Sequence, residues 1–160
     1  PNVISNIPKR ILKKATILIY IKGDLSLGDL DLLKSLKSLK LFNILEITYS
    51  KYTKREFRKC LQSANFVIWL GVRETQGIAM LEAWSMNVPT LVRIVDRKES
   101  LLFAPMLTDE CGAFFESLDD LLSIISSTKS GVIKFSPRKY VLNNYTAKSK
   151  VADLIAKQII

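Results

Sequence analysis

The residues best placed to do chemistry lie in one stretch, Gly71-Val72-Arg73-Glu74-Thr75-Gln76-Gly77-Ile78-Ala79-Met80-Leu81-Glu82-Ala83. It follows an apolar run, Asn65 to Leu70, and opens a helical pattern at Gly77. A glycine at a helix start lets the backbone approach a ligand, and the free N–H groups there, with the helix dipole, favour a phosphate. Glu74 and Glu82 flank those amides. Glu82 follows Ile78 by four residues and adjoins Leu81, inside or beside the apolar stripe. A carboxylate there is costly unless it finds donors, and sugar or ribose hydroxyls are such donors. A plainer alternative stands beside this one. Glu74 then complements the dipole as an ordinary first-turn acid, and Glu82 lies at the edge of a helix.

What the chain lacks narrows the chemistry further. It has no histidine, which removes the commonest general base, the Ser-His triads and the usual zinc ligands. Two cysteines, Cys60 and Cys111, make neither a disulfide framework nor a metal site, and are expected as buried small hydrophobes. Carboxylates, lysines, arginines and backbone amides remain.

These groups need a scaffold, and the apolar runs supply one. Ala15–Ile21, Phe42–Thr48, Asn65–Leu70 and Pro89–Val95 read as buried strands. Helical patterns separate them: Leu27–Leu41, Thr53–Ala64 with a Thr53/Glu56 capping box, and Gly77–Met86. Asp96–Thr108 reads as an irregular loop, Gly112–Glu116 as a short fifth strand, Ser117–Ser127 as a helix, and Pro137–Ile160 as mostly helical. Strand–helix alternation with continuously apolar strands predicts an α/β fold, a doubly wound, Rossmann-like parallel sheet. Ligands of such sheets bind outside the carboxyl ends of the strands, which points to the loops at Lys22, Ser50 and Gly71–Gln76.

The 160 residues suffice for one domain, assigned to positions 15–160. The chain opens on Pro1, so sequence upstream is expected, and residues 1–14 read as a linker or the remnant of an upstream domain. That segment lacks the apolar centre of a signal peptide, and no run reaches the ~20 apolar residues of a membrane span. A cytoplasmic location is expected. The net charge is +9, carried mostly by residues 1–60, with 13 Lys+Arg against 5 Asp+Glu. An anionic partner follows, either nucleotide phosphates or an acidic membrane surface reached through Lys9, Arg10, Lys13, Lys14 and the Lys54–Lys59 segment. The competing reading is a solvated helix face, to which the spacing of Lys34, Lys37 and Lys40 is suited. Nucleic acid is not expected, because no aromatic residues interleave with the lysines.

Glu74 and Glu82 form an E-x7-E pair, and ETQGIAMLEAWSMNVPTLV resembles the signature of retaining GT-B glycosyltransferases of the group-one, glycogen-synthase-like type. Thr108-Asp109-Glu110-Cys111-Gly112 and Pro137-Arg138-Lys139-Tyr140-Val141 extend the likeness to about two-thirds of the chain. The resemblance implies the donor-binding half of a GT-B fold, which takes a nucleotide diphosphate sugar and transfers the sugar with retention to an acceptor hydroxyl. It casts Glu74 as the catalytic-site contact to the donor sugar and Glu82 as the ribose contact. Gly77 and Ile78 become backbone donors to the diphosphate, with Lys22 and Arg73 as nearby cations. No metal or further cofactor is implied, and the acceptor, a glycan or lipid, would be held by an absent N-terminal domain.

The chain departs from that pattern in the first loop, Lys22-Gly23-Asp24-Leu25-Ser26-Leu27-Gly28, where the family has an Arg and a Lys. Only Lys22 is basic, and Leu27 stands in the place of the second cation. Arg73 or Lys51 are the candidate substitutes. The departure, with the absent acceptor half, leaves a second reading: a non-catalytic, degenerate domain that binds nucleotide or scaffolds a partner.

Overall fold

The computed structural model describes residues 15–71, 77–94 and 104–146. The expected linker at 1–14, the end of the C-terminal tail, and the site candidates Arg73 and Glu74 lie outside them.

Five strands, β1 (Ala15–Lys22), β2 (Phe42–Thr48), β3 (Phe66–Gly71), β4 (Thr90–Arg93) and β5 (Gly112–Phe115), form an all-parallel sheet in the order β2-β1-β3-β4-β5. Helices α1 (Leu27–Ser38), α2 (Lys54–Ser63), α3 (Ile78–Ser85), α4 (Leu118–Lys129) and α5 (Pro137–Asn144) complete the described elements. The α/β, Rossmann-like doubly wound architecture expected from the apolar runs is the one observed.

The period of two along each strand divides the core into two layers. Ile17, Ile19, Ile68 and Leu91 face α1 and α4, whose Leu32, Leu36, Leu121 and Ile125 are buried against them. Leu18, Tyr20, Val67, Trp69 and Val92 face the other way, onto Phe57 and Leu61 of α2 and Met80, Ala83 and Trp84 of α3. Helix α5 packs on α3 through Tyr140, whose ring centroid lies 6.0 Å from that of Trp84. The central strand β3 is therefore buried on both faces, as a continuously apolar strand must be. Strand β2 lies at an edge and is only partly covered.

Several element boundaries differ by a residue or two from the sequence expectation, and two of the differences have a visible cause. Helix α1 stops at Ser38 rather than Leu41, because Lys40 takes a left-handed backbone (φ 51°) that turns the chain into β2. Asn65 precedes β3 rather than belonging to it, and its side-chain oxygen accepts the Thr16 N–H at 2.8 Å.

No helix among the described residues is long and apolar enough to cross a membrane.

Candidate functional site

In a parallel sheet all strands end on one side, and here that carboxyl edge is bounded by Lys22, Thr48, Gly71, Arg93 and Phe115. The chain leaves β1 and β3 toward opposite faces, so the crevice between their ends is the switch point at which doubly wound sheets bind ligands. Lys22 and Gly71 are register partners there. Gly71 (φ 100°) lies so close that a Cβ would collide with the Lys22 carbonyl oxygen. The Lys22 ammonium stands 5.7 Å from the centroid of the Tyr49 ring, on the same edge.

Among the described residues, four helices start at this edge after a strand, and three of them close their own first turn. At α1, the Ser26 N–H and hydroxyl donate to Asp29 Oδ2 (3.0 and 2.7 Å), and the Asp29 N–H donates to Ser26 Oγ (3.1 Å). At α2, Thr53 and Glu56 make the same reciprocal pair. The Thr53 N–H and then its hydroxyl hold the Glu56 carboxyl below the ordinary range. At α4, Ser117 Oγ accepts the Asp120 N–H. Helix α3 is different: it begins at Gly77 with no side-chain cap. Gly77 is buried in a left-handed conformation (φ 64°, ψ 19°), and a Cβ there would strike Met106 Sδ. Only glycine meets both demands without strain. The N-terminal end of an aligned helix, the positive end of its dipole, favours an anion. Ile78, the first helical residue, is 61% exposed.

Glu82 projects one turn further along α3. Its expected burial does not hold: α3 buries Met80, Ala83 and Trp84, while Glu82 is exposed. The argument from desolvation cost therefore fails for this residue. The carboxylate instead lines an open groove of about 590 Å³ between α2 and α3, a size suited to a small molecule. Its mostly apolar floor is formed by Phe57, Leu81 and Ile78, with Arg55 and Arg58 on the α2 wall opposite Glu82. Sequence reasoning had assigned those cations to an anionic surface and had not joined them to Glu82. Their helical phase relative to Phe57 and Leu61 was the available signal.

The structure thus brings Gly77, Ile78 and Glu82 onto one short helix. Lys22 sits at the neighbouring strand end. Lys51, a candidate substitute cation, is exposed in the loop after β2, on the same edge. Sequence reasoning also missed Arg93. From the end of β4 its Nη1 donates to Asp29 Oδ1 at 2.7 Å, which places a largely buried cation at the first turn of α1.

Burial pushes the Cys111 thiol up to about 11, with Glu110 adding to the shift and a hydrogen bond with Thr108 opposing it. Cys60 is only partly buried, and burial and then Glu56 raise it as well.

No family model matches the sequence, and no curated protein matches it.

Proposed function

We propose that this chain is the donor-binding half of a retaining, GT-B-type glycosyltransferase, taking a nucleotide diphosphate sugar at the carboxyl edge of its sheet. The observation that carries this reading is the glycine-led, left-handed start of α3 at Gly77, one turn from the exposed Glu82 carboxylate. In this account the amides at Gly77 and Ile78 hold the diphosphate, and Glu82 accepts hydrogen bonds from the ribose hydroxyls along the groove. Glu74, by its place in the E-x7-E pair, engages the donor sugar. Lys22 and Arg73 offset phosphate charge as the nucleotide leaves. The protein supplies positioning and charge stabilisation to the transfer, and an N-terminal domain supplies the acceptor.

One observation favours the second reading, a non-catalytic nucleotide-binding or scaffolding domain. The first turn of α1, where the family holds phosphate with cations, is closed here by the Ser26–Asp29 pair, and Asp29 already engages Arg93.

A thermal-shift screen of UDP-, GDP-, ADP- and CMP-sugars beside the free nucleotides tests both. A ligand at 100 times its dissociation constant stabilises the fold by ~2.7 kcal/mol, a readily measured shift. Tighter binding of a nucleotide sugar than of its nucleotide supports the enzyme half, because Glu74 then contributes through the sugar. Equal binding of the two supports the non-catalytic domain. No shift with any of them sinks both.

A further inference from the structure

At the opposite, amino edge of the sheet, β3 begins at Phe66 and β4 at Thr90, and α4 runs back from the carboxyl edge to finish at Lys129. A cleft of about 260 Å³ opens there, lined by Asn65, Phe66, Pro89, Thr128, Lys129 and Phe135. Local features of the chain build it. Gly131 takes a left-handed turn (φ 80°) after the helix, and the Val132 and Ile133 N–H groups both donate to the Ser127 carbonyl. That reversal brings Ile133 and Phe135 back against the core. Phe66 and Pro89, both buried, supply the rest of the apolar lining.

Two donors of this cleft are uncommitted. The Asn65 side-chain oxygen accepts the Thr16 N–H at 2.8 Å, which leaves its NH2 group without a partner among the described residues. Because Thr16 presents a donor, the amide cannot be turned over without losing that bond. Lys129 is exposed and makes no ion pair among the described residues. Burial alone lowers its ammonium from the ordinary value, and no neighbouring carboxylate offsets it. The Thr128 hydroxyl, by contrast, already donates to the Ile124 carbonyl. No Asp or Glu lines the cleft. The carbonyls that would repel an anion at the end of α4 are also engaged, since Ser126, Ser127 and Thr128 accept from Ser130, Val132 and Gly131. We propose that this amino-edge cleft binds a small aromatic carboxylate, with its ring among Phe66, Pro89 and Phe135 and its carboxylate on Lys129 and the Asn65 NH2 group. The volume falls just below the ~300 Å³ at which pockets for larger small molecules begin, which limits the ligand to about one ring. The site lies at the other end of the sheet from Gly77 and Glu82, and the inference does not depend on the glycosyltransferase reading.

The test is an NMR titration of the full chain with benzoate, benzamide and acetate at ~150 mM salt, which screens unspecific attraction between exposed charges. Benzoate should shift the ring signals of Phe66 and Phe135 and the side-chain amide of Asn65, with a Kd on the order of 1 mM, as suits a ligand of this size. Benzamide keeps the ring without the charge, and acetate keeps the charge without the ring, so each should bind at least about fivefold more weakly. Lys129→Gln should weaken benzoate binding about fivefold, the loss of one exposed charged contact. Asn65→Asp keeps the oxygen that accepts from Thr16 and replaces the donor with negative charge, so its loss should be larger. Lys134→Gln removes the same charge from a residue outside the cleft and should bind as the parent does. Retained dispersion of the backbone signals shows that each variant is folded. Four results would overturn the proposal: no binding at ~20 mM benzoate, shifts that bypass Phe66 and Phe135, equal affinity for benzoate and benzamide, or equal losses in Lys129→Gln and Lys134→Gln.

Discussion

Asp29 Oδ1, on the first turn of α1, accepts a 2.7 Å hydrogen bond from Nη1 of Arg93, the last residue of β4, 64 positions later in the chain. Both side chains are largely shielded, with 9% and 16% of their surfaces exposed. The contact ties the helix after β1 to the end of β4 across the intervening β3. Gly28 makes room for it, since a Cβ there would meet Arg93 Nη2 at 2.7 Å. Asp29 thereby joins the cap of α1 to the carboxyl edge of the sheet.

Removing one member of a buried pair strands the other, so Arg93→Ala should lower stability by about 3 kcal/mol. That is the low end for such pairs, because Asp29 keeps its bonds to Ser26. Urea denaturation measures the loss. A change within ~0.5 kcal/mol, as for an ordinary surface substitution, would show that the pair does not hold α1 to the sheet.

The capping box of α2 makes a pH-dependent prediction. Thr53 holds the Glu56 carboxyl below its ordinary value in the folded chain. A depressed carboxyl stabilises the fold above its unfolded pKa, near ~4.3, and that contribution is lost as pH falls through the folded value. The melting temperature of the parent chain should therefore exceed that of Glu56→Gln at pH 7, and the gap should narrow as the pH is taken down through the acid range. A pH-independent gap would contradict the assignment. Thr53→Ala should cost about 1 kcal/mol at neutral pH, as the loss of an N-cap does.

At pH 8 the Cys111 thiol, pushed up to about 11 and buried, is almost wholly protonated. Since the thiolate is the reactive form, iodoacetamide should label Cys60 slowly and spare Cys111 until denaturant is added. Mass spectrometry of the labelled peptides distinguishes the two sites, and rapid labelling of Cys111 in the native chain would be inconsistent with this packing.

The fold was legible because its signals are local. Continuously apolar runs such as Ile17–Tyr20 mark strands covered on both sides, and Thr53 with Glu56 marks the start of α2 within four residues. The Ser26–Asp29 cap carries the same kind of signal and could have been read in the same way. Asp29–Arg93 could not, since nothing near either residue in sequence specifies a partner 64 positions away. Glu82 was misplaced for another reason. Helix α3 is short and apolar around most of its circumference, so its periodicity does not settle which flank meets the sheet. The groove joining Glu82 to Arg55 and Arg58 depends on two helices packing side by side, a tertiary fact.

The central claim turns on Glu82, and calorimetric titration of the parent chain and Glu82→Gln with the nucleotide sugar giving the largest thermal shift tests it most directly. A carboxylate accepts from both ribose hydroxyls, where an amide offers a single acceptor oxygen. Glu82→Gln should therefore lose ~1–3 kcal/mol of binding, the range of a hydrogen bond to a charged group, or roughly five- to 150-fold in affinity. Because Glu82 is exposed, the melting temperature without ligand should stay as it is in the parent. Equal affinity in the two proteins would contradict the account, and so would weaker binding accompanied by a matching fall in the unliganded melting temperature.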